Sequence, residues 1–173
     1  MAGLAPPYGD SAIPNVDRFH CPWRYGGSAR DLVLALKLRH QRAAAKPLAA
    51  AIVTVTRRDG TEAAMVTWVP ARRADRRTRG FDHAEVIARH VAGRLGLPVA
   101  GVLARTSARP DQVGLGRAQR WKNLAGAFTS RPAAGVVLLV DDLVTTGATA
   151  SACARALRAG GATQVELATP CRA

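Results

Sequence analysis

The sequence predicts an α/β fold in which a mainly parallel central sheet carries helices on both faces. From residue 63 onward the patterns run strand, helix, strand, loop, strand, helix, strand, an alternation typical of parallel sheets with helical crossovers. The apolar runs AAMVTWV and VVLLV are short and continuous, as in strands that are buried on both faces. With 173 residues, 48% of them hydrophobic, the chain is long enough for one domain with its own core.

Each element is predicted from a local pattern. The predicted elements are, in order, an irregular lead-in at 1–24, helices at 28–40 and 47–57, a turn at 57–60, a strand at 63–69, a basic loop at 71–80, a helix at 82–95, a strand at 98–105, a loop at 106–122, the start of a strand at 126–128, a strand at 136–142, a helix at 146–161 and a strand at 164–170.

The lead-in is predicted from four prolines and the lack of any hydrophobic period, and the domain itself is placed at 25–173. Leu32 and Leu36 share a helical stripe, and Ser28 is the expected N-cap of that helix. Asp31 is placed as an acid in its first turn, and Pro47 suits the first turn of the second helix.

The later boundaries follow from similar signals. Pro70 stops the strand before it, and Gly96 lies just beyond the helix at 82–95. The helix at 146–161 ends at a glycine pair. The loop at 106–122 is long for a compact domain, and loops of this length are usually functional or mobile.

Composition limits the classes of partner. The formal net charge is +13 at pH 7, and lysine occurs only at positions 37, 46 and 122. Arginine therefore carries nearly all of the positive charge, and its planar group binds phosphate through paired hydrogen bonds, which favours polyanionic partners. Codon bias in a GC-rich genome is the alternative explanation of the arginine content, although it does not explain why the arginines cluster.

The lack of membrane-spanning and secretory patterns, together with the cysteine usage, predicts a cytoplasmic protein without membrane insertion. No run approaches the roughly 18 apolar residues that span a membrane, and the N-terminal stretch lacks a basic segment followed by an apolar one. The three cysteines, at 21, 153 and 171, include no C-x-x-C pair, so neither a disulfide framework nor a structural zinc site is expected. Cys153 lies in an alanine-rich segment and is predicted to be a small core residue.

The segment VDDLVTTGAT at 140–149 contains the strongest functional pattern. A buried strand ends near Asp141 and Asp142, and a short loop then leads to a helix that begins near Gly147. Backbone N–H groups at a helix N-terminus bind phosphate. Carboxylates would repel that phosphate, but they accept hydrogen bonds from sugar hydroxyls and can also face a divalent metal ion. Together these groups fit a ribose 5-phosphate.

This segment resembles the phosphoribosyl-pyrophosphate binding motif of type I phosphoribosyltransferases, and the resemblance implies that fold. It implies that Asp141 and Asp142 are the candidate catalytic residues, contacting the ribose hydroxyls, with a weak Mg²⁺ role. It also implies a 5-phosphate loop, to which we assign Val144, Thr145, Thr146, Gly147, Ala148 and Thr149. The alternative is a plain strand-to-helix turn with Thr149 as a cap.

The chain from about residue 25 onward is also similar to the ComF family, whose members are phosphoribosyltransferase-like and associated with natural competence. The similarity lies in YGGSARDLVLALKLRH, VPARRADRRTRGFDHAEVIARHVA and LARTSARPDQVGLGRAQRWKNLAGAF. The matching positions are Tyr25, Gly27, Lys37, Pro70, Arg79, Gly80, Phe81, Arg105, Gln112, Leu115, Arg120, Asn123, Gly126 and Phe128.

Two departures from that family stand out. The usual N-terminal four-cysteine zinc module is missing, since only Cys21 precedes the domain. Asp82 and His83 stand where Asn-Gln is usual. Any hydrogen-bond role of those amides is in doubt here, although Asp82 can serve as an N-cap for the helix that follows.

Cationic side chains form a second candidate site for pyrophosphate or a nucleic-acid backbone. Its members are Arg72, Arg73, Arg76, Arg77, Arg79, Lys37 and Arg120. A solvated arginine-rich turn is the alternative for the first five, and the solvent face of a helix is the alternative for Lys37. Trp121 could stack on an unpaired base or anchor its loop.

These features support three hypotheses. The first is a phosphoribosyltransferase that binds phosphoribosyl pyrophosphate with Mg²⁺ and acts by positioning and charge stabilisation. The second is a non-catalytic protein that binds a nucleotide or single-stranded DNA, with a ComF-type role in DNA uptake. The third is a scaffold for competence proteins such as a DNA-translocating ATPase, a partner that only the family resemblance implies.

Overall fold

The computed structural model describes residues 13–39, 41–72, 80–106, 124 and 126–173. The described elements are β1 (Arg18–His20), β2 (Trp23–Arg24), α1 (Gly27–Leu38), a 3₁₀ turn (Arg42–Ala44), α2 (Ala45–Asp59), β3 (Met65–Trp68), α3 (His83–Leu95), β4 (Leu103–Arg105), β5 (Phe128–Ser130), β6 (Gly135–Val140), α4 (Ala148–Ala159), β7 (Ala162–Ala168) and β8 (Cys171–Arg172).

The central sheet is parallel, with strand order β1-β7-β6-β3. A parallel bridge between Val66 and Val99 continues the pairing beyond β3. β4 and β5 form a separate antiparallel pair, and β2 and β8 form a short parallel pair. The predicted parallel sheet is therefore confirmed, and its strongest predicted strand, β6, lies between two others, where both of its backbone edges are paired.

The core lies on both faces of this sheet because β6 is apolar on both sides. Val137 and Leu139 pack with α4 and the β4–β5 pair, whereas Leu138 and Val140 pack with α1, α2 and α3. All four side chains are fully buried. Helices therefore cover both faces, as predicted. Cys153 is also fully buried, which confirms its assignment to the core.

The predicted irregular lead-in is wrong for residues 18–24. β1 is an edge strand of the central sheet, and β2 pairs with β8. The residues before β1 also dock on the domain, since Asn15 Nδ2 donates to Ser151 Oγ at 3.2 Å and Arg158 pairs with Asp17. These short, mixed-polarity stretches gain their structure from partners more than 130 positions away, which no local pattern reveals.

Other boundaries shift for physical reasons. α1 begins at Gly27, and among the described residues no side chain caps it, so the assignment of Ser28 as N-cap is wrong. The first turn of α1 likewise contains no acid, so Asp31 lies beyond it. α3 agrees with its prediction: Asp82 accepts from Ala84 N at 3.1 Å, and Gly96 ends the helix with φ of 72°.

The remaining differences concern strand length and membrane spans. Of the strand predicted at 98–105, only β4 (Leu103–Arg105) forms a regular strand. The strand predicted to begin at 126–128 corresponds to β5, which starts at Phe128. In the described ranges, none of the helices has the length and apolar character needed to cross a membrane.

Candidate functional site

The acidic pair lies directly after the last residue of β6. Asp141 N donates to Ala168 O at 3.0 Å, which continues the β6–β7 pairing into the loop. Val144 N donates to Cys171 O at 3.2 Å, and Ala173 N donates to Val144 O at 2.9 Å. The chain segment at 171–173 thus anchors the middle of the 141–147 loop, so the loop is held in place before any ligand arrives.

Gly147 makes the turn from this loop into α4. Its φ is +77°, and a Cβ at this position would lie 2.9 Å from Cγ1 of Ile13. Both the backbone conformation and the close packing therefore require glycine. Ser151 N donates to Gly147 O at 2.9 Å, which is the first hydrogen bond of the helix.

The first turn of α4 presents backbone N–H groups that have no acceptor within the helix. In the described part of the chain, α4 has no hydrogen bond from a side-chain cap; the nearest such contact is Ala148 N to Thr146 Oγ1 at 3.4 Å. The N–H groups of a helix's first turn have no partner within the helix and favour an anion. They border a solvent-open hollow of about 240 Å³ lined by Asp141 and residues 143–150.

An ammonium group and an imidazole ring approach Asp142 from different helices. Lys37 Nζ, near the end of α1, lies 2.9 Å from Asp142 Oδ1. His83 Nδ1, from the first residue of α3, lies 3.5 Å from Asp142 Oδ2. The side chains of Lys37, His83 and Asp142 are 27%, 5% and 15% exposed, respectively. Asp142 also donates its backbone N–H to Asp141 Oδ1 at 2.8 Å.

These contacts separate the two carboxyl groups electrostatically. Desolvation and the neighbouring Asp142 charge together outweigh the Asp142 N–H and the Lys37 charge, and they raise the pKa of Asp141 to about 8. Desolvation also acts to raise the pKa of Asp142. The hydrogen bond with His83 and the charge of Lys37 outweigh desolvation, so the pKa of Asp142 is lowered. Desolvation disfavours the charged form of Lys37, but Asp142 outweighs it and raises the pKa of the ammonium group. Asp142 is therefore biased toward its ionised form and Asp141 toward its protonated form.

Sequence reasoning missed the position of His83 and left that of Lys37 open. The solvent-face alternative for Lys37 is wrong, because its ammonium group contacts Asp142. His83 Nε2 is buried and has no hydrogen-bond partner within the described residues, and the ring packs edge-on against Phe81 with centroids 5.2 Å apart. The sequence did contain a usable signal for His83, because it follows β3 along the chain and β3 is adjacent to β6 in the parallel sheet. Adjacent parallel strands end at the same edge of the sheet, which places residues after β3 near the acidic pair.

A second, larger hollow adjoins the first and adds positive charge. It has a volume of about 670 Å³, is open to solvent, and is lined by Lys37, His83 and the acidic pair together with Arg72 and Arg105. The Arg105 guanidinium lies over the Phe128 ring, 4.7 Å from its centroid. Both hollows are lined by Asp141, Leu143 and Thr149, so one ligand can extend from the first turn of α4 to the arginines.

The structure brings together most of the sequence-predicted site. The acidic pair, the loop residues Thr145, Thr146, Gly147, Ala148 and Thr149, and the cations Lys37 and Arg72 all line the two hollows. Val144 is 2% exposed and supports the loop through its backbone. The predicted basic residues that lie outside the described residues are Arg73, Arg76, Arg77, Arg79 and Arg120.

A protein-held Mg²⁺ ion does not fit the acidic pair. Asp142 Oδ1 already faces the Lys37 ammonium group and Asp142 Oδ2 faces the His83 ring, and Asp141 Oδ1 accepts a backbone N–H. Mg²⁺ requires near-octahedral oxygen coordination. Among the described residues, no group of three or more His, Cys, Asp or Glu side chains is placed to hold a metal ion.

Comparison with known proteins identifies the class. The model of the phosphoribosyl transferase domain matches residues 82–173, more than half of the chain. The chain therefore belongs to the phosphoribosyl transferase domain family. Its fold is the type I phosphoribosyltransferase fold, as predicted. No curated protein matches.

Solved structures with similarity to this chain include three of low sequence identity. The protein TT1426 from Thermus thermophilus is 20% identical, with 74% of each chain covered and a TM-score of 0.45. Adenine phosphoribosyltransferase from Leishmania tarentolae is 19% identical, with 77% of this chain and 59% of that chain covered and a TM-score of 0.46. The allosteric regulatory enzyme of purine biosynthesis is 18% identical, with 73% and 26% covered and a TM-score of 0.43.

Proposed function

We propose that this chain binds phosphoribosyl pyrophosphate and acts as a phosphoribosyltransferase. The observation that supports this proposal is the adjacency of two unlike groups at the end of β6: the uncapped first turn of α4 and the acidic pair. Both border a hollow that contains Asp141 and Thr149. The first turn suits the 5-phosphate and the carboxyl groups suit the ribose hydroxyls.

The charges also suit the proposed reaction. A nucleophile attacks the anomeric carbon of the ribose, the bond from that carbon to the pyrophosphate oxygen breaks, and the electron pair leaves with pyrophosphate. Arg72 and Arg105 line the larger hollow, where they can stabilise the departing negative charge. Mg²⁺ enters as part of the substrate, bound to its phosphate oxygens. The chain itself supplies positioning and electrostatic stabilisation.

The ComF-type role in natural competence and DNA uptake is a further part of this proposal. It rests on the sequence similarity from about residue 25 onward, including Lys37 and Arg105. The contact between Lys37 and Asp142 supports the importance of that lysine. A DNA-translocating ATPase as partner remains a prediction of that similarity, and a cytoplasmic location remains a prediction of the sequence pattern.

The phosphate loop provides the direct test. Calorimetric titration of phosphoribosyl pyrophosphate with Mg²⁺ should show binding to the wild-type chain and at least about tenfold weaker binding to Gly147→Ala, because a residue with φ of +77° and a Cβ 2.9 Å from Ile13 distorts the turn. Gly93→Ala is the matched control, since Gly93 lies in α3 and its Cβ would meet nothing within 4 Å.

A second variant guards against a loss of folding in Gly147→Ala. Thr149→Val keeps the side-chain shape in the first turn of α4 but removes a hydroxyl from both hollows. Circular dichroism should show native helix content for all three variants. Wild-type affinity in both Gly147→Ala and Thr149→Val would contradict the assignment of the phosphate loop.

Single-stranded DNA binding is the second candidate, favoured by the net charge of +13 and by two arginines beside the site. Asp142→Asn separates the candidates, because it removes the ionised member of the pair. It should weaken phosphoribosyl pyrophosphate binding and leave DNA binding unchanged or slightly stronger, with a DNA affinity that falls steeply with salt. An equal loss for both ligands would contradict separate roles for the acids and the arginines.

A further inference from the structure

We propose that Lys37 is the built-in cation of the acidic pair, so that this chain binds the ribose 5-phosphate part of its ligand without a divalent metal ion. This inference rests on the proposed function and deepens it, because it states what neutralises the pair. Metal ions bound to the pyrophosphate of a complete substrate are a separate matter, and the inference does not concern them.

The carboxylate oxygens of the pair are largely occupied by groups of the chain itself. Lys37 Nζ lies 2.9 Å from Asp142 Oδ1, and His83 Nδ1 lies 3.5 Å from Asp142 Oδ2. Asp141 Oδ1 accepts the Asp142 N–H at 2.8 Å. Contacts within the described residues therefore involve three of the pair's four oxygens. A divalent ion would have to coordinate where an ammonium group already lies, against repulsion between like charges.

The hydrophobic core holds Lys37 in this position. Leu36 and Val33 on the same helix are 0% and 1% exposed, and both pack in the cluster beneath β6. The Lys37 side chain itself is 27% exposed. Its helix therefore cannot turn the ammonium group into solvent without exposing buried apolar side chains. A surface lysine on a flexible segment would lack this constraint.

The ammonium group of Lys37 also has the chemical capacity for the role, since it has three hydrogen-bond donors and no acceptor. One donor is directed to Asp142, which leaves others for hydroxyl oxygens of a sugar in the same hollow. The ionised Asp142 in turn can accept from a hydroxyl. Lys37 thus balances the charge and binds the ligand, two tasks that a Mg²⁺ ion would perform in a purely acidic site.

The test that needs no sugar phosphate uses Mn²⁺ as the probe, followed by electron paramagnetic resonance. The wild-type chain should have no Mn²⁺ site that depends on Asp142, so Mn²⁺ binding should be the same in the wild-type chain and in Asp142→Asn. Lys37→Met should gain such a site, with at least about tenfold higher affinity, and the double variant Lys37→Met with Asp142→Asn should lose it. Lys46→Met is the matched control, because Lys46 is an exposed lysine on α2.

A wild-type Mn²⁺ site that depends on Asp142 would overturn the inference, as would the lack of any gain in Lys37→Met. Thermal unfolding supplies an independent readout: Lys37→Met should be less stable in EDTA than in Mg²⁺, whereas Lys46→Met should show no such difference. These measurements decide the role of Lys37 whether or not the chain binds phosphoribosyl pyrophosphate.

Ribose 5-phosphate then tests the ligand side. Its affinity for the wild-type chain should agree within about twofold between EDTA and excess Mg²⁺, and Lys37→Met should bind at least about tenfold more weakly in EDTA, with partial recovery in Mg²⁺. A wild-type affinity that rises tenfold or more with Mg²⁺ would overturn the inference and leave the proposed function intact. Failure of both ribose 5-phosphate and phosphoribosyl pyrophosphate to bind would overturn the proposed function instead.

Discussion

Glu166 is a buried carboxylate and Asp142 a half-buried one; both face a histidine, but their surroundings differ. Glu166, on β7, is 1% exposed and accepts from His20 Nε2 at 3.2 Å, from Thr61 Oγ1 at 2.5 Å and from Glu62 N at 3.3 Å. Asp142 is 15% exposed and faces Lys37 and His83 at the edge of an open hollow. The first carboxylate is enclosed by donors, and the second is accessible to a ligand.

The two histidines differ in what lies next to their second nitrogen. Nδ1 of His20 is buried without a hydrogen-bond partner among the described residues, but a carboxylate oxygen, Asp59 Oδ2, lies 3.6 Å away. The second nitrogen of His83, Nε2, is buried without a hydrogen-bond partner in the described ranges, beside the hollow. A buried polar atom without a partner costs stability, and a ligand hydroxyl can satisfy it. Because, in the part of the chain that the structure describes, both clusters contain a buried histidine nitrogen without a hydrogen-bond partner, the feature that distinguishes the Asp142 cluster is its position beside an open hollow.

The largest expected effect of breaking either cluster is on stability. Glu166→Ala should lower the free energy of unfolding by about 3 kcal/mol, because His20 and Thr61 would be left buried without their partner. Asp142→Asn should cost only about 1 kcal/mol, since the groups around it can reach water. Urea denaturation measures both, and Glu62→Gln, an exposed glutamate beside the first cluster, is the control. Equal losses in the two variants would contradict the distinction between an enclosed and an open carboxylate.

The pH dependence of stability should have opposite sign in the two clusters. Desolvation acts on Glu166, but hydrogen bonds from His20 and Thr61 outweigh it and lower its pKa below the usual 4.5. Its stabilisation is therefore present above pH 4.5 and is lost as the pH falls through the folded-state pKa. Desolvation raises the pKa of Asp141 from 3.8 to about 8. Ionisation of Asp141 in the unfolded chain therefore destabilises the fold progressively between those values.

Asp141→Asn should consequently gain stability over the wild-type chain as the pH rises from about 4 to about 8, by at least about 1 kcal/mol at the upper end. The loss in Glu166→Gln should instead be present at neutral pH and shrink in acid. Denaturation midpoints between about pH 3 and about pH 9 check both. A constant difference between Asp141→Asn and wild type across this range would show that Asp141 ionises normally.

The smallest expected effect concerns Asp82, the N-cap residue directly before His83. Asp82 accepts from Ala71 N at 2.7 Å and from Ala84 N at 3.1 Å, so it joins the loop after β3 to the first turn of α3. Asp82→Ala should lower the free energy of unfolding by about 1 kcal/mol. Ser28→Ala is the comparison, because no side-chain hydrogen bond within the described residues caps α1, and it should change stability by a few tenths of a kcal/mol at most. A larger loss in Ser28→Ala than in Asp82→Ala would contradict the assigned caps.

Local pattern accounts for the parts of the fold and site that could be predicted. β6, the loop after it and α4 are contiguous, and a buried apolar run followed by acids, threonines and glycine predicts a strand, a turn and a helix N-terminus in that order. Asp82 and Gly96 were predictable for the same reason, since a cap acts within its own turn. β1 was not, because its three residues contain one buried side chain, His20, whose partner Glu166 lies 146 positions later.

By itself, the sequence determined the fold class, the acidic pair, the strand-to-helix loop after it and the positive charge of the chain, because each depends on neighbouring residues or on composition. Only the tertiary structure decided which side chains meet the acids. Lys37 and His83 come from two helices that pack on one face of the sheet, and both reach Asp142 at the carboxyl end of β6. The physical reason is that distance in space, and the desolvation that comes with packing, determine whether a charged side chain remains in solvent or becomes part of the site.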